Sequence, residues 1–538
     1  MTSAKQGLPV VGQEAYYRTT SKVTLRHARR AVQLVLLGLW LALFLATRDQ
    51  AAALVPPTLF LQLDPLVALL TMGAARVVVP ALLWGAVVFM VFTLVFGRAF
   101  CGWICPLGTL FDLTNRALKT PEDRLTLAAH SKLQYGKYLI LVVMVAGALL
   151  SAQWLYLLDP LVLLFRALAV GVWPVATLAH DDPEQAGTVW QAFHGVTLAP
   201  LALLVATLCA VAVTPRCYCR YLCPLGAFFG LLSRAPLVRR RVEGCDACTG
   251  VQTEKQCVSG CRMGAVAANP HLTQNHECIR CMSGRSFCHN QAIHFDVEPR
   301  GVGRRDAEDV PTAISRRAFL ATAGAGLALA PMAALSSAPR NPDNGVVRPP
   351  RVLDDDVFSD QCIRCAMCVQ ACPTQTLQLT HLEAGFAGFW TPAITPAVAG
   401  CIPDCNACSV ACPTDAIPDF QKGEQSKWLT KMGTAVLEKG RCISHTEDTA
   451  CGKCLDICPT KAFVVEPESE RGGERTPRRP FAVDYVRCVG CGLCEVECAK
   501  IVYGAPALRT FAHGRGQLTS LGEEPTRTFT EQTATSSG

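Results

Sequence analysis

Cysteine is the residue that carries chemistry in this sequence: 29 of them stand in 538 residues, mostly in runs with two or three residues between neighbours. The plainest run is Cys362, Cys365, Cys368 and Cys372, followed directly by Pro373. Three thiolates at this spacing embrace one 4Fe-4S cubane, and the fourth, turned away by the proline, ligates a neighbouring cluster. Because the fourth ligand is lent, such runs come in pairs. Three more follow, at Cys401, Cys405, Cys408 and Cys412, at Cys442, Cys451, Cys454 and Cys458, and at Cys488, Cys491, Cys494 and Cys498. Together they supply sixteen thiolates, enough for four 4Fe-4S clusters. The wider gaps after Cys401 and Cys442 are insertions at the loop mouth that leave the rest of each run unchanged. Structural zinc also takes four soft ligands, but the repeated lent-ligand spacing argues against it. So tight a spacing also argues against a disulfide scaffold, which belongs to short secreted chains.

A second pair of runs precedes these, at Cys245, Cys248, Cys257 and Cys261 and at Cys278, Cys281 and Cys288. Aligned with the standard run, the latter has Gly284 where its third cysteine belongs. One cluster of this pair is an ordinary 4Fe-4S centre, and the other draws on Cys278, Cys281 and the lent Cys261. Three thiolates suit a 3Fe-4S cluster, or a 4Fe-4S cluster with one iron bound by water or another side chain. His276 and His289 are candidate substitutes, although such histidines are more often solvated loop residues. Four further thiols form two C-x-x-x-C-P elements, Cys101 with Cys105 and Cys219 with Cys223, each closed by Pro-Leu-Gly. They are candidate redox thiols. Cys217 lies beside the second element, and Cys209 reads as plain packing. No Gly-x-Ser-x-Gly elbow, phosphate-binding Walker loop or C-x-x-C-H heme signature offers a competing chemistry.

These sites need a frame, and half of the residues are apolar while only 17% are charged. Four apolar segments, 31–47, 77–96, 138–158 and 196–213, are read as membrane spans. Arg26, Arg29 and Arg30 precede the first, bases from Arg98 to Lys137 fill the loop after the second, and Arg216, Arg220 and Arg234 follow the fourth. The other loops carry Asp49, Asp64, Asp159, Asp181 and Asp182. The positive-inside rule then places the N-terminus and the residues after the fourth span in the cytoplasm, and the arginine excess reads as topological. The formal net charge of +7 is too diffuse to suggest nucleic acid. Both membrane halves repeat: Leu-Asp-Pro-Leu-Val recurs at 63–67 and 158–162, and each half ends in a C-x-x-x-C-P element. His180 and His194 fall in a loop, so no heme is expected between the spans.

Ser315, Arg316, Arg317, Ala318, Phe319 and Leu320 open a small apolar stretch and read as a twin-arginine export signal inside the chain. The expected division is a cytoplasmic N-terminus at 1–30, a four-span α-helical membrane bundle at 31–235 and a cytoplasmic two-cluster ferredoxin-like module at 236–300. A linker and signal-anchor helix at 301–340 follow, then a periplasmic α+β four-cluster polyferredoxin domain at 341–505 and a disordered tail at 506–538.

With these motifs in place, residues 1 to about 300 resemble the NapH-type membrane subunit of quinol dehydrogenases, and those from about 312 onward resemble the NapG/MauM type of exported ferredoxin. The chain looks like a fusion of the two, with Gly284 a departure from the family pattern. The resemblance implies an electron-transfer component of a quinol dehydrogenase in the bacterial inner membrane. It would take electrons from the quinol pool to a periplasmic c-type cytochrome or reductase, typically of the nitrate reductase system, after export by the twin-arginine machinery. Similar subunits are implied in nitrous oxide reduction and methylamine oxidation. A redox-sensing or metal-centre maturation role is the competing class, and four clusters favour conduction because one suffices to sense.

Pro339 directly follows the peptidase-like Ser336-Ser337-Ala338 and resists cleavage there. An uncut anchor is therefore expected: immunoblotting of membranes should show one full-length band, and a released C-terminal fragment would refute it.

Overall fold

The structure is a computed structural model, and it describes residues 14–47, 55–118, 133–150, 153–178, 198–234, 236–242, 260–266, 273–288, 292–297, 320–321, 324–328, 346–385, 387–420, 427–466, 470–471, 474–475, 479–502, 506–512 and 514–517. Cys245, Cys248, Cys257, His180, His194, His289 and all of the export signal except Leu320 lie outside the described residues.

The first helix, Glu14–Leu45, holds the one described stretch long and apolar enough to cross a membrane, His27–Leu45. The three other expected spans are helical but shorter. Segment 77–96 is the helix Pro80–Phe96; 138–158 divides into Tyr135–Leu149 and the 3₁₀ turn Gln153–Leu158; and 196–213 into Ala199–Cys209 and Ala210–Ala212. Two further apolar helices, Pro65–Ala75 and Pro160–Gly171, begin at the repeated Leu-Asp-Pro-Leu-Val. The repeat is thus a helix-start signal. Asp64 and Asp159 each accept two backbone N–H bonds as N-caps, and the following proline sits where its missing N–H costs nothing.

Two compact units emerge. The first comprises Met1–Leu41, Phe89–Tyr138 and Thr207–Thr322. Each C-x-x-x-C-P element is an elbow between two helices here: Ala99–Trp103 leads into Pro106–Ala117, and Cys217–Tyr221 into Pro224–Leu232. The second cysteine caps the second helix, its sulfur accepting the N–H of Gly108 or Gly226. The two elbows share one aromatic core, with the Phe100 and Phe229 rings at 5.4 Å and Phe111 and Tyr218 at 6.0 Å. Antiparallel strands Val238–Val242 and Ile293–Val297 close the cysteine-bearing module of this unit.

The second unit comprises Ala42–Val88, Leu139–Ala206 and Ala323–Gly538. Its cysteine-rich part is α+β, as expected, built from short antiparallel strand pairs. Leu377–Leu379 pairs with Pro392–Ile394, Thr434–Leu437 with Leu508–Phe511, and Phe463–Glu466 with Arg479–Val483. Thr430–Lys431 pairs with Gly516–Gln517, so the domain continues past residue 505 to at least residue 517, beyond the boundary expected from composition. A polar segment is held there because its backbone completes two strand pairs.

A buried charge cluster ties this end to the start of the domain. Asp355 accepts from Arg348 Nε at 3.0 Å and from Arg515 Nη1 at 3.1 Å, and Arg515 also donates to the Val352 carbonyl. Burial opposes ionisation of Asp355, but the two guanidinium groups outweigh it and hold the carboxyl below its usual range. Removing the acid leaves two buried cations unpaired, a loss on the order of 3–5 kcal/mol. Asp355→Ala is therefore expected to lower the temperature at which the domain loses its iron-sulfur absorbance. In the wild type this stabilisation is complete above the unfolded carboxylate pKa and declines as pH falls through the lower folded value. An unchanged midpoint would rule the clamp out.

Candidate iron-sulfur sites

The backbone aims the thiols. In the run beginning at Cys362, the residues either side of the second cysteine, Arg364 and Ala366, take left-handed φ values of 59° and 64°. Gly490 and Gly492 do the same around Cys491, at 75° and 78°. These turns curl the loop so that three sulfurs face inward, and a short helix then carries the chain to the fourth cysteine. Cys372 and Cys458 stand at the ends of the helices Met367–Ala371 and Lys453–Ile457 in extended conformation, directed out of their own loops.

The lent ligands find reciprocal partners. One cavity is lined by Cys372 with Cys401, Cys405 and Cys408, a second by Cys458 with Cys488, Cys491 and Cys494, and a third by Cys498 with Cys442, Cys451 and Cys454. The remaining four thiols complete the pattern: Cys362, Cys365 and Cys368 all lie in the field of Cys412. The first run is therefore mated with the second, and the third with the fourth.

The donor sets fit 4Fe-4S clusters. Among the described residues, no three Cys, His, Asp or Glu side chains converge as a single metal ion requires, although these sixteen thiols are gathered in fours. The exchange of a fourth thiol between neighbouring runs suits a multi-iron core rather than zinc. Burial and neighbouring thiols push Cys368, Cys408 and Cys494 well above the ordinary thiol range, so the protein alone does not hold them as thiolates. A bound cluster would supply the positive charge that does. Lent sulfurs also accept backbone N–H bonds: Ile417 donates to Cys412 at 3.5 Å, Ala462 to Cys458 at 3.3 Å, and Ala507 to Cys498 at 3.3 Å.

The four sets adjoin in series, in the order of the first, second, fourth and third runs. The first and second exchange Cys412 and Cys372, and the third and fourth exchange Cys498 and Cys458. Between the middle two, Cys401 N–H donates to the Cys491 carbonyl at 2.8 Å. The Cys362 end is deep, with Cys362, Cys365 and Cys368 buried; at the other end Cys451, Cys454 and Cys498 are only half-buried.

In the first unit, the loop from Cys278 repeats the same design. Arg280 and Met282 flank Cys281 with φ of 53° and 58°, and Cys288 ends the helix Ser283–Phe287 as Cys372 ends its own. Gly284 therefore does occupy the third ligand's place. Cys261 lies in the field of Cys278 and Cys281, which brings together the three thiols expected from the sequence. Burial would raise Cys281, but Arg29 and Ser283 outweigh it and lower its pKa. His276 is not a solvated loop residue: it is largely buried beside Glu277, and burial lowers it to about 4.

This loop is clamped to the first C-x-x-x-C-P element. Trp103 Nε1 donates to the Arg280 carbonyl at 2.9 Å and Arg29 Nη1 to the Cys281 carbonyl at 3.0 Å. At Gly102 a Cβ would stand 2.2 Å from the Ile279 carbonyl oxygen, so only glycine permits the approach. At the equivalent position of the second element, Arg220 donates instead to the Cys261 and Arg262 carbonyls. The candidate redox thiols themselves converge. Cys105 lies in the field of Cys101 and Cys219, and buried Arg98 lies near both Cys101 and Cys223. Arg98 pairs with Glu277 at 2.7 Å, Lys137 with the same carboxylate, and Arg29, Arg216 and Arg262 with buried Asp112. The arginines read as topological thus include several that brace this site. Cys209, expected to be packed, is exposed on the helix Ala199–Cys209.

Sites of this kind define an iron-sulfur electron-transfer protein with several 4Fe-4S binding domains. Family profiles agree: a 4Fe-4S binding domain matches residues 78–122 and 196–243, a 4Fe-4S dicluster domain 449–502, and another 4Fe-4S binding domain 356–378. The first covers both C-x-x-x-C-P elements, so cluster ligation stands beside dithiol chemistry as a role for Cys101, Cys105, Cys219 and Cys223. Over 230 residues the chain is 30% identical to the methylamine utilization ferredoxin-type protein MauM of Paracoccus denitrificans, covering 41% of this chain and 94% of that protein. It is 30% identical to the ferredoxin-type protein NapG of Escherichia coli, covering 40% of this chain and 87% of NapG. Similarity to the regulatory protein NosR of Pseudomonas aeruginosa, 32% identical, spans 37% of this chain but 25% of NosR. No solved structure matches. In this shared portion the chain belongs to the MauM and NapG family of ferredoxin-type proteins.

The reciprocal pairing predicts crossed effects. Cys372→Ser should perturb the EPR signal of the Cys401, Cys405 and Cys408 site while leaving that of the Cys362 site, and Cys412→Ser should do the reverse. Perturbation confined to each residue's own run would refute the pairing.

Proposed function

We propose that this chain is a membrane-anchored conductor that passes electrons from quinol to a periplasmic c-type cytochrome or reductase. The observation that carries this reading is the serial order of four thiol sets, from a buried end at Cys362 to a half-buried end at Cys451, Cys454 and Cys498. Four 4Fe-4S clusters bound there would each accept and release one electron. A sensor needs no such line.

In this reading the N-terminal part is a NapH-type quinol dehydrogenase subunit with four spans, fused to a NapG/MauM-type ferredoxin. Loop charges support a cytoplasmic side for residues 236–300, and the twin-arginine motif supports export of the C-terminal domain to the periplasm of a bacterial inner membrane. Quinol feeds the C-terminal line directly. The module around Cys261, Cys278 and Cys281, clamped onto Gly102 and Trp103, exchanges electrons with the C-x-x-x-C-P thiols. Fusion turns a bimolecular docking step into an intramolecular one. The relatives' names point to more than one terminal system; nitrate reduction is the one proposed.

Rapid mixing of the purified, cluster-loaded protein with a menaquinol analogue tests the direction. Cys454→Ser is expected to leave reduction of the first cluster intact while slowing transfer to a c-type cytochrome, and Cys365→Ser to block both. Equal cytochrome reduction in wild type and Cys454→Ser would sink the proposal.

A further inference from the structure

Both copies of the Leu-Asp-Pro-Leu-Val repeat bring a fully buried carboxylate to the same place. Asp64 Oδ1 accepts from the Leu66 and Val67 N–H groups at 2.9 and 3.3 Å, and Asp159 Oδ1 from Leu161 and Val162 at 3.0 and 3.1 Å. Capping uses one oxygen, and asparagine or serine would serve as well. The second oxygen of each, Asp64 Oδ2 and Asp159 Oδ2, is buried with no hydrogen-bond partner. Two half-satisfied buried acids are expensive unless something else uses them.

Their surroundings say what. The two carboxylates feel one another: burial and Asp159 raise Asp64 well above the usual range, and burial raises Asp159 against the pull of its two N–H bonds and Arg166. Tyr156 links them: its hydroxyl donates at 3.2 Å to the carbonyl of Val67, whose N–H Asp64 accepts, and its own carbonyl accepts the Asp159 N–H at 3.2 Å. Tyr156, fully buried, lies in the field of both acids, its hydroxyl 3.0 Å from Thr71 Oγ1. Arg166, the seventh residue of the helix that Asp159 caps, donates to the Arg364 carbonyl at 3.3 Å, its guanidinium 4.7 Å from the Trp390 ring. Arg364 separates Cys362 from Cys365, and Arg166 acts electrostatically on Cys365. The titratable and charged groups beside the pair are thus Tyr156 and Arg166, with Arg364 acting on Tyr156; the helix Asp355–Gln361, packed on Pro65–Ala75, carries Asp355, Asp356 and Asp360.

Resting on the quinol-to-periplasm reading, we infer that Asp64 and Asp159 form the proton-accepting pair of a hydroquinone-oxidation site at the input end of the thiol line. Oxidation breaks the two O–H bonds of a hydroquinone. The two electrons would leave singly by way of the cluster that Cys362, Cys365, Cys368 and Cys412 would hold, the one-electron chemistry of a 4Fe-4S centre requiring the first to move on before the second arrives. The two protons go in turn to the aspartate pair, which releases each to the aqueous side, and a quinone leaves.

Asp64→Asn and Asp159→Asn keep the cap and remove the proton acceptor. In full-length protein in nanodiscs, each is expected to slow reduction of the first cluster by a menaquinol analogue on the order of 10²-fold or more, the usual contribution of a positioned base. Dithionite-reduced EPR spectra and iron content should stay as in wild type. Infrared difference spectra should show a protonated-carboxyl band responding to quinol in wild type and lost in the double variant. Wild-type rates in both single variants, or an infrared band that survives the double substitution, would overturn the pair alone. A wild type reducible by dithionite but by no quinol would overturn the electron-input reading and the pair with it.

Discussion

A thiol that leaves its own run to complete the neighbouring site is the interaction on which the C-terminal domain depends. Its helices and strands are short: Met367–Ala371, Ala407–Val410 and Lys453–Ile457 have five, four and five residues, and the strand pairs are two-stranded ribbons. Elements of this size bury too little apolar surface to stand alone. Metal-thiolate bonding contributes folding energy directly, because a formed site does not exist in the unfolded chain. The crossing of Cys372 and Cys412 makes each run part of its partner's core, and the crossing of Cys458 and Cys498 does the same. One geometry therefore holds the domain together and brings consecutive sites close.

Buried charge divides the molecule's acids into two kinds. In the first unit Asp112 and Glu277 are each surrounded by cations, with Arg216 on Asp112 at 2.9 Å and Arg98 on Glu277 at 2.7 Å. Burial works against both carboxylates, yet the cations hold both below the usual range. Such groups stay ionised and brace. Asp64 and Asp159 have backbone N–H groups, each other and Tyr156 about them, with Arg166 acting on Asp159, and they shift the opposite way. A carboxylate that a protein keeps buried but leaves half-satisfied is poised to gain and lose a proton.

The internal repeat shows how duplication is used unequally. The two C-x-x-x-C-P elements have the same elbow and the same sulfur-capped helix, yet the residue after the first cysteine is Gly102 in one and Arg220 in the other. Glycine admits the Ile279 backbone, and arginine reaches out to the Cys261 carbonyl. Each copy thereby receives a different half of one cysteine module.

The grouping of the thiols was legible in the sequence because thiolate chemistry demands fixed short spacings: the four C-terminal runs, the lent fourth thiol and the place of Gly284 all follow from them. Helical character of the apolar segments was legible too, since it is local. Helix length was not, and neither was the strand Leu508–Phe511, whose place is set by pairing with Thr434–Leu437 more than seventy residues earlier. Only the tertiary structure decided which runs are mated, in what order the sites lie, and that buried arginines brace rather than merely orient. It alone brought Asp64 and Asp159 to either side of Tyr156, because spacing along a chain encodes what neighbours do, while the approach of residues nearly a hundred positions apart is settled by packing.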